Sequence, residues 1–286
     1  MRSKRMLLGV CGIAIIGAAC AAGAKTAADL AQTQTNGLPA SATEAVARLA
    51  ASPRHGEWVT VKTGPSDSIR AYLVYPERRN NAPVVLVIHE IFALSNWVRA
   101  VADQLAADGF IAIAPDLLTM KNIPMTAAGE PDGAAARAAI GSFADPVHHR
   151  NARLVAEYAM NLPAAEKKYG VVGYCWGGGF VWQHALQYPD VAAGVSYYGT
   201  APAPAELSKL GKTPILGLYG GSDQRVNATV PPADSAMKAL NKVFDPHIFE
   251  GAGHGFLRQQ ETPPANLEAT RRAWPLTVGW FRQYIR

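Results

Sequence analysis

One cysteine stands in a turn of small residues near the middle of the chain. The motif Gly173-Tyr174-Cys175-Trp176-Gly177 follows an apolar run and opens a glycine-rich segment. Flanking glycines let a strand and a helix approach closely around a sharp turn, where a nucleophile is held in a strained conformation. The motif is the G-x-S-x-G nucleophile pattern with sulfur in place of oxygen, so Cys175 is the candidate nucleophile. The alternative is a buried, inert cysteine that packs as a small hydrophobe.

A carboxylate and an imidazole follow this cysteine in the order that such a site requires. Asp223 and His254 each come directly after an apolar run that predicts a strand. The carboxyl ends of parallel strands meet at one edge of a sheet, so we expect both side chains to lie near Cys175. His254 would then accept the thiol proton, while Asp223 would orient the imidazole and stabilise its cation. Taken singly, Asp223 is typical of a turn and His254 of a loop; together they predict a catalytic triad.

A second group of polar residues ends an earlier predicted strand, in Ile88-His89-Glu90-Ile91-Phe92. We assign the oxyanion hole, which stabilises negative charge on the substrate oxygen, to the backbone N–H groups of Ile91 and Trp176. A carboxylate at Glu90 would oppose that charge if it stayed in place. We therefore expect Glu90 to pair with Cys175 in the empty site and to move away during the reaction. The alternative is a solvated charge at the edge of a loop.

The elements that must position these residues alternate along the chain. Apolar runs predict strands at Ile69–Tyr75, Val84–His89, Phe110–Ala114, Tyr169–Tyr174, Ala192–Tyr198, Pro214–Tyr219 and His247–Glu250. Helical patterns fall between them, from a helix capped by Ser95 or Asn96 to a final helix over Ala265–Ile285. This alternation predicts one α/β domain over residues 56–286, with a mostly parallel central sheet and helices on both faces. Residues 117–145 are irregular and predict an excursion over the top of the sheet. The pair Tyr197–Tyr198 is expected to pack at the end of its strand.

The first residues have the pattern of an export signal. Basic residues among the first five precede an apolar run from Met6 to Ala19, and small residues continue to Ala24. This predicts a signal peptide over 1–24 that is cleaved, and a periplasmic or secreted protein. Two alternatives are a retained membrane anchor and lipoprotein processing at Cys20. The apolar run is short for a membrane span, so none is expected after processing.

Loss of this segment changes the bulk properties of the chain. The formal net charge of +5 loses three cations and no anions, which leaves +2 and indicates no nucleic-acid surface. Residues 25–55 are polar and small, and predict a flexible tail with one short helix around 43–51. Cys175 would be the only remaining cysteine, so an internal disulfide is excluded. The adjacent His148 and His149 would face different sides of a helix start at the surface, so no metal site is predicted, and no organic cofactor is implied.

The elbow and the His-Glu-Ile-Phe run carry a family resemblance. The segments Pro83–Leu118, Val171–Gly179 and Gly251–Arg258 resemble dienelactone hydrolases (carboxymethylenebutenolidases), and the resemblance extends over about Ile69 to Ile285. It implies the α/β-hydrolase fold and opening of an ester or lactone through an acyl-cysteine. It also implies that Cys175, Asp223 and His254 form the triad and that Glu90 contacts the resting cysteine.

The same resemblance implies two arginines that bind a substrate carboxylate. Arg258, four residues after His254, matches one of them. Arg137, in a run of alanines, is a rough candidate for the other, with a plain surface arginine as the alternative. We expect a monomeric hydrolase of a small ester or lactone, carboxylated if both arginines serve. Two alternatives stay open: a broader carboxylesterase or thioesterase with the same triad, and a non-catalytic binding protein on the same fold.

Overall fold

The computed structural model of the chain describes residues 37–78, 80–141 and 146–285. Eight strands build its sheet: β1 (Gly56–Lys62), β2 (Ser68–Val74), β3 (Ala82–Ile88), β4 (Ile111–Pro115), β5 (Ala165–Tyr174), β6 (Ala193–Tyr197), β7 (Ile215–Gly220) and β8 (Phe244–Phe249). The helices are α1 (Ala45–Ala50), α2 (Asn96–Ala107), α3 (Gly133–Gly141), α4 (Pro146–Met160), α5 (Trp176–Gln187), α6 (Gln224–Asn227), α7 (Val230–Ala239) and α8 (Ala265–Tyr284). Short 3₁₀ turns lie at Thr119–Lys121 and Pro204–Lys209.

The strands form one sheet in the order β1-β2-β4-β3-β5-β6-β7-β8. Strand β2 is antiparallel to both of its neighbours, and β3 to β8 are parallel to one another. Every residue of β3 is buried, because helices cover both faces of a parallel sheet and leave no polar side for the strand. The predicted parallel sheet with helices on both faces is therefore confirmed.

The alternation of side chains along each strand divides the core into two layers. In β3, Val85 and Val87 point to the layer that holds α2 and α8, whereas Val84, Leu86 and Ile88 point to the layer that holds α4, α5 and α7. Each strand of the centre thus contributes to both layers, as a period of two requires. The helices cover the faces of the sheet but not the carboxyl ends of the parallel strands, so the loops there can form a binding or active site.

The predicted elements lie within a few residues of the observed ones. Ser95 caps α2, with its side chain accepting from the N–H of Val98, and the helix ends before Gly109 at a φ of +101°. Helix α3 was not predicted, because the glycines and prolines of 117–145 indicated an irregular excursion. It lies within that segment and contains Arg137.

The stretch 37–55 packs against the domain, although the composition of 25–55 predicts a flexible tail. Ala40 and Ala45 are buried, and the backbone oxygen of Ala40 accepts from the Trp97 indole at 3.1 Å. The N–H of Ala42 donates to the backbone oxygen of Arg258 at 2.9 Å. The folded body therefore extends at least to this stretch, while the predicted signal peptide and residues 25–36 lie outside the described residues. No helix within the described ranges is long and apolar enough to cross a bilayer.

Candidate active site

Cys175 occupies a strained turn between β5 and α5. Its φ is +56° and its ψ is −115°, a conformation that residues with a side chain rarely adopt. A Cβ on Gly173 would lie 2.0 Å from the backbone oxygen of Gly177, so only glycine fits where the strand meets the helix. The N–H of Gly178 donates to the Cys175 oxygen at 3.0 Å and closes the first turn of α5. The chain thus holds a thiol at the tip of a strand, in a geometry that costs free energy.

Asp223 and His254 form a hydrogen-bonded pair at the ends of β7 and β8. His254 Nδ1 donates to Asp223 Oδ2 at 2.5 Å, which leaves Nε2 as the nitrogen that can accept a proton. The other carboxylate oxygen accepts from the N–H of Val226 at 3.3 Å, because Asp223 also caps α6. With only 9% of its side chain exposed, Asp223 is fixed from two directions. The imidazole is one-third exposed, so the substrate side stays open.

The resting thiol of Cys175 is held in its protonated form. Burial, the larger cause, and the negative charge of Glu90 together raise the pKa of Cys175 to about 11. The backbone N–H of Trp176 hydrogen-bonds to the sulfur and acts in the opposite direction, as the N-terminus of α5 should. The helix alone would favour a thiolate, but burial and the nearby carboxylate outweigh it.

Glu90 is buried beside this thiol and pairs with Arg258. Only 4% of the residue is exposed, and its Oε2 lies 3.3 Å from Arg258 Nε. Burial raises the pKa of the Glu90 carboxyl to about 7, although the Arg258 guanidinium lowers it. The expected resting partner of Glu90 was Cys175; the structure gives it an ion pair with Arg258, while its charge acts on the cysteine.

The two residues assigned to the oxyanion hole share one small apolar cluster. Ile91 and Trp176 both pack against buried residues from the loops and α3, namely Ala93, Leu118, Ala136 and Ile140. A Cβ on Gly177 would lie 2.5 Å from the backbone oxygen of His89, so the start of α5 rests directly on the end of β3. The His89 imidazole stacks on the Trp176 indole, with 5.8 Å between ring centroids. The end of β3 and the start of α5 are therefore held together.

Both candidate substrate arginines reach the ring of Phe92. The guanidinium carbon of Arg258 lies 4.9 Å from the ring centroid and that of Arg137 lies 5.5 Å from it. Arg137 comes from α3 and Arg258 from the loop after β8, so two distant segments bring positive charge to one ring. Phe92 was not singled out from the sequence. Its position directly after Ile91 was the available signal.

A cavity of about 430 Å³ opens beside the elbow. Its wall is built by α4, α5 and the loop after β6, with the lining residues Pro146, His148, His149, Trp176, Gly179, Phe180, Gln183, Gln187, Thr200, Ala201 and Pro202. His149 stacks on Phe180 with 3.9 Å between ring centroids, and burial lowers the pKa of its imidazole to about 4. The predicted placement of both histidines at the surface is therefore wrong, because His148 is buried and His149 lies against an aromatic ring. Across the described ranges, no three His, Cys, Asp or Glu side chains are grouped to hold a metal ion.

The sequence profile of the dienelactone hydrolase family matches residues 69–285, which is most of the chain. The chain belongs to the dienelactone hydrolase family. An Escherichia coli (strain K12) protein that carries carboxymethylenebutenolidase as a provisional name is 27% identical, over 89% of this chain and 98% of its own length. A protein of Synechocystis sp. (strain PCC 6803) with the same provisional name is 31% identical, over 79% of this chain and 97% of its own length.

The fold is that of the solved family members. A Klebsiella pneumoniae protein provisionally described as a dienelactone hydrolase superposes with a TM-score of 0.69 and 23% identity. The superposition covers 81% of this chain and 99% of that one. This member of the dienelactone hydrolase family therefore has the α/β-hydrolase fold that its motifs indicated, and it is a hydrolase.

Proposed function

We propose that this hydrolase cleaves an ester or lactone through an acyl-cysteine on Cys175. The observation that carries the proposal is the pairing of a strained elbow cysteine with a fixed Asp223–His254 hydrogen bond at one edge of the sheet. A structural cysteine has no need of a positive φ, and a surface histidine has no need of a buried carboxylate partner. The binding-protein alternative explains neither feature.

The reaction runs in two halves. The Cys175 sulfur attacks the carbonyl carbon, His254 Nε2 takes up the thiol proton, and the N–H groups of Ile91 and Trp176 stabilise the oxyanion. The carbon–oxygen bond then breaks, and the leaving alkoxide takes the proton from His254; in a lactone this oxygen stays tethered to the acyl group. Water, deprotonated by His254, attacks the thioester and releases the acid and the Cys175 thiol.

The Glu90–Arg258 pair supports a carboxylated substrate. A substrate carboxylate competes with Glu90 for the guanidinium of Arg258, and Arg137 supplies a second positive charge beside Phe92. When the Arg258 guanidinium binds the substrate carboxylate instead of Glu90, the pKa of Glu90 rises, because the free guanidinium is what lowers it. Glu90 then takes up a proton, and its charge no longer opposes the Cys175 thiolate. Substrate binding would thereby activate the nucleophile.

Trapping the acyl-enzyme tests the proposal. Enzyme mixed with a small carboxylated aryl ester and quenched in acid within milliseconds should gain the mass of the acyl group, and peptide mapping should place it on Cys175. Cys175→Ala should lose both the adduct and the turnover, whereas His254→Ala should retain a folded protein with little adduct. Turnover that survives Cys175→Ala would overturn the proposal.

We also propose that residues 1–24 direct export and are removed. The support is the pattern of basic, apolar and small residues that ends at Ala24. N-terminal sequencing of protein recovered from a bacterial periplasm should begin at Lys25. A mature chain that begins at Met1, or one that begins at a lipid-modified Cys20, would contradict cleavage after Ala24.

A further inference from the structure

Tyr198 is strained, and its buried ring packs against the ring of His254. It follows β6 with a φ of +41°, a left-handed conformation that a residue with a bulky side chain adopts only under constraint. Only 1% of the residue is exposed. Its ring lies 5.1 Å from the His254 ring and 5.4 Å from Phe256, centroid to centroid. The backbone of Tyr198 is thus strained where it places the tyrosine ring against His254.

The hydroxyl of Tyr198 has no hydrogen-bond partner among the described residues, and neither has that of Tyr174. Burial of a hydroxyl without a partner destabilises a fold, so such groups are rare in proteins. The neighbouring Tyr197 shows the ordinary arrangement, since its hydroxyl hydrogen-bonds to Thr277 Oγ1 at 2.7 Å. The buried hydroxyl of Tyr219 also lacks a partner in the described part of the chain, but only those of Tyr174 and Tyr198 are affected by the charge of Glu90.

An unmatched acceptor is buried in the same place. Glu90 Oε2 makes no hydrogen bond of acceptable geometry within the described chain, although Arg258 Nε lies 3.3 Å away. The rings of Tyr174 and Tyr198 are 6.4 Å apart, and the charge of Glu90 acts on both hydroxyls. Two O–H donors and one carboxyl acceptor, all buried and unsatisfied, are chemically complementary.

We propose that Tyr198, assisted by Tyr174, is a positioning residue whose hydroxyl receives the Glu90 carboxyl when a substrate carboxylate takes Arg258. The Tyr198 O–H donates to a carboxyl oxygen of Glu90 and holds it away from the oxyanion that forms near Ile91 and Trp176. This step rests on the proposed function. It gives the displaced carboxyl a defined place, and it explains why the fold tolerates two unsatisfied hydroxyls in its resting state.

Removal of one hydroxyl separates this role from a structural one. In Tyr198→Phe, the acylation rate and kcat for a carboxylated aryl ester should fall about two- to tenfold, the expected effect of one lost hydrogen bond between neutral groups. KM should stay near the wild-type value, because Arg258 and Arg137 are intact. The melting temperature should be unchanged or higher, because a partnerless buried hydroxyl is lost.

Tyr197→Phe is the matched control. It removes a hydroxyl from the adjacent residue, but one that hydrogen-bonds to Thr277. We expect a lower melting temperature and an unchanged kcat, the opposite result to Tyr198→Phe. In a Glu90→Gln background, Tyr198→Phe should have little further effect on acylation, because the carboxyl that it positions is gone.

Two results would overturn the inference. One is a Tyr198→Phe enzyme that acylates Cys175 as fast as wild type. The other is a Tyr198→Phe enzyme with a lowered melting temperature and an equal loss of rate in the Glu90→Gln background, which would show a structural hydrogen bond such as one to a buried water. Wild-type enzyme that forms no acyl-cysteine would instead refute the proposed function, so quenched-flow mass spectrometry of both proteins distinguishes the two failures.

Discussion

Replacement of Glu90 by glutamine should stabilise the folded protein, by an amount that grows with pH. The carboxyl titrates near 7 in the folded state, against an ordinary value of 4.5, because it is buried. Between these two pH values the folded state binds more protons than the unfolded state, so stability falls as pH rises through the window. Glutamine keeps the shape of the side chain and removes the titration.

The magnitude follows from the two pKa values. One pKa unit corresponds to about 1.4 kcal/mol, so the ionised Glu90 costs the folded state about 3 kcal/mol above pH 7. This cost already includes the attraction of Arg258, which acts in the favourable direction. By the same relation, the advantage of Glu90→Gln over wild type should be about 1 kcal/mol at pH 5 and about 3 kcal/mol at pH 8.

Urea unfolding at pH 5 and pH 8, followed by tryptophan fluorescence, measures both free energies. Glu250→Gln removes one negative charge from an exposed position next to the catalytic loop and serves as the control. We expect its stability relative to wild type to change little between the two pH values. An advantage of Glu90→Gln that is equal at pH 5 and pH 8 would refute the reasoning, since it would mean that the Glu90 charge is not penalised by burial.

Three further predictions concern the thiol, the elbow and the arginine. Alkylation of Cys175 by iodoacetamide, measured by mass spectrometry of its peptide, should rise about tenfold per pH unit from 7 to 10, and a fast rate independent of pH would contradict a pKa of about 11. Gly178→Ala should lower the free energy of unfolding by about 2–4 kcal/mol, because a Cβ would lie 2.8 Å from the Cα of Gly199. In Gly179→Ala the nearest atom to the new Cβ is 3.5 Å away, so this control should be neutral or stabilising by up to about 1 kcal/mol. Equal effects of the two substitutions in thermal unfolding would contradict this prediction. Arg258→Gln should raise KM about ten- to hundredfold for a carboxylated ester but not for its uncharged analogue, and an equal change for both esters would exclude a carboxylate contact.

The sequence was sufficient for the sheet and for the positions of the candidate triad, because both depend on local patterns. Apolar runs of β-branched residues mark strands that are buried on both faces, and β3 is such a run. Glycines around Cys175 mark the elbow, since the close approach of strand and helix leaves no room for a Cβ. Each of these signals is contained within about ten residues.

Contacts between distant segments could not be read in this way. The Glu90–Arg258 ion pair joins residues that are far apart in the sequence. The ring of Phe92 contacts Arg137 from α3 and Arg258 from the loop after β8. The N-terminus of α5 lies next to Cys175 in the sequence and favours a thiolate, whereas burial by the whole fold decides the pKa of Cys175. Helix α3 was missed because its alanines carry a weak pattern between strong turn signals.

A nucleophile that is suppressed at rest suits the environment that the first residues predict. Oxidants attack thiolates rather than thiols, so a pKa of about 11 protects Cys175 as long as the site is empty. The same burial that protects the thiol raises the pKa of Glu90 to about 7, which places its titration within reach of a change in one neighbouring charge. Under the proposed function, a substrate carboxylate at Arg258 would supply that change. Protection and activation therefore depend on the same three side chains, Cys175, Glu90 and Arg258, and a substrate without a carboxylate would leave the thiol in its protected state.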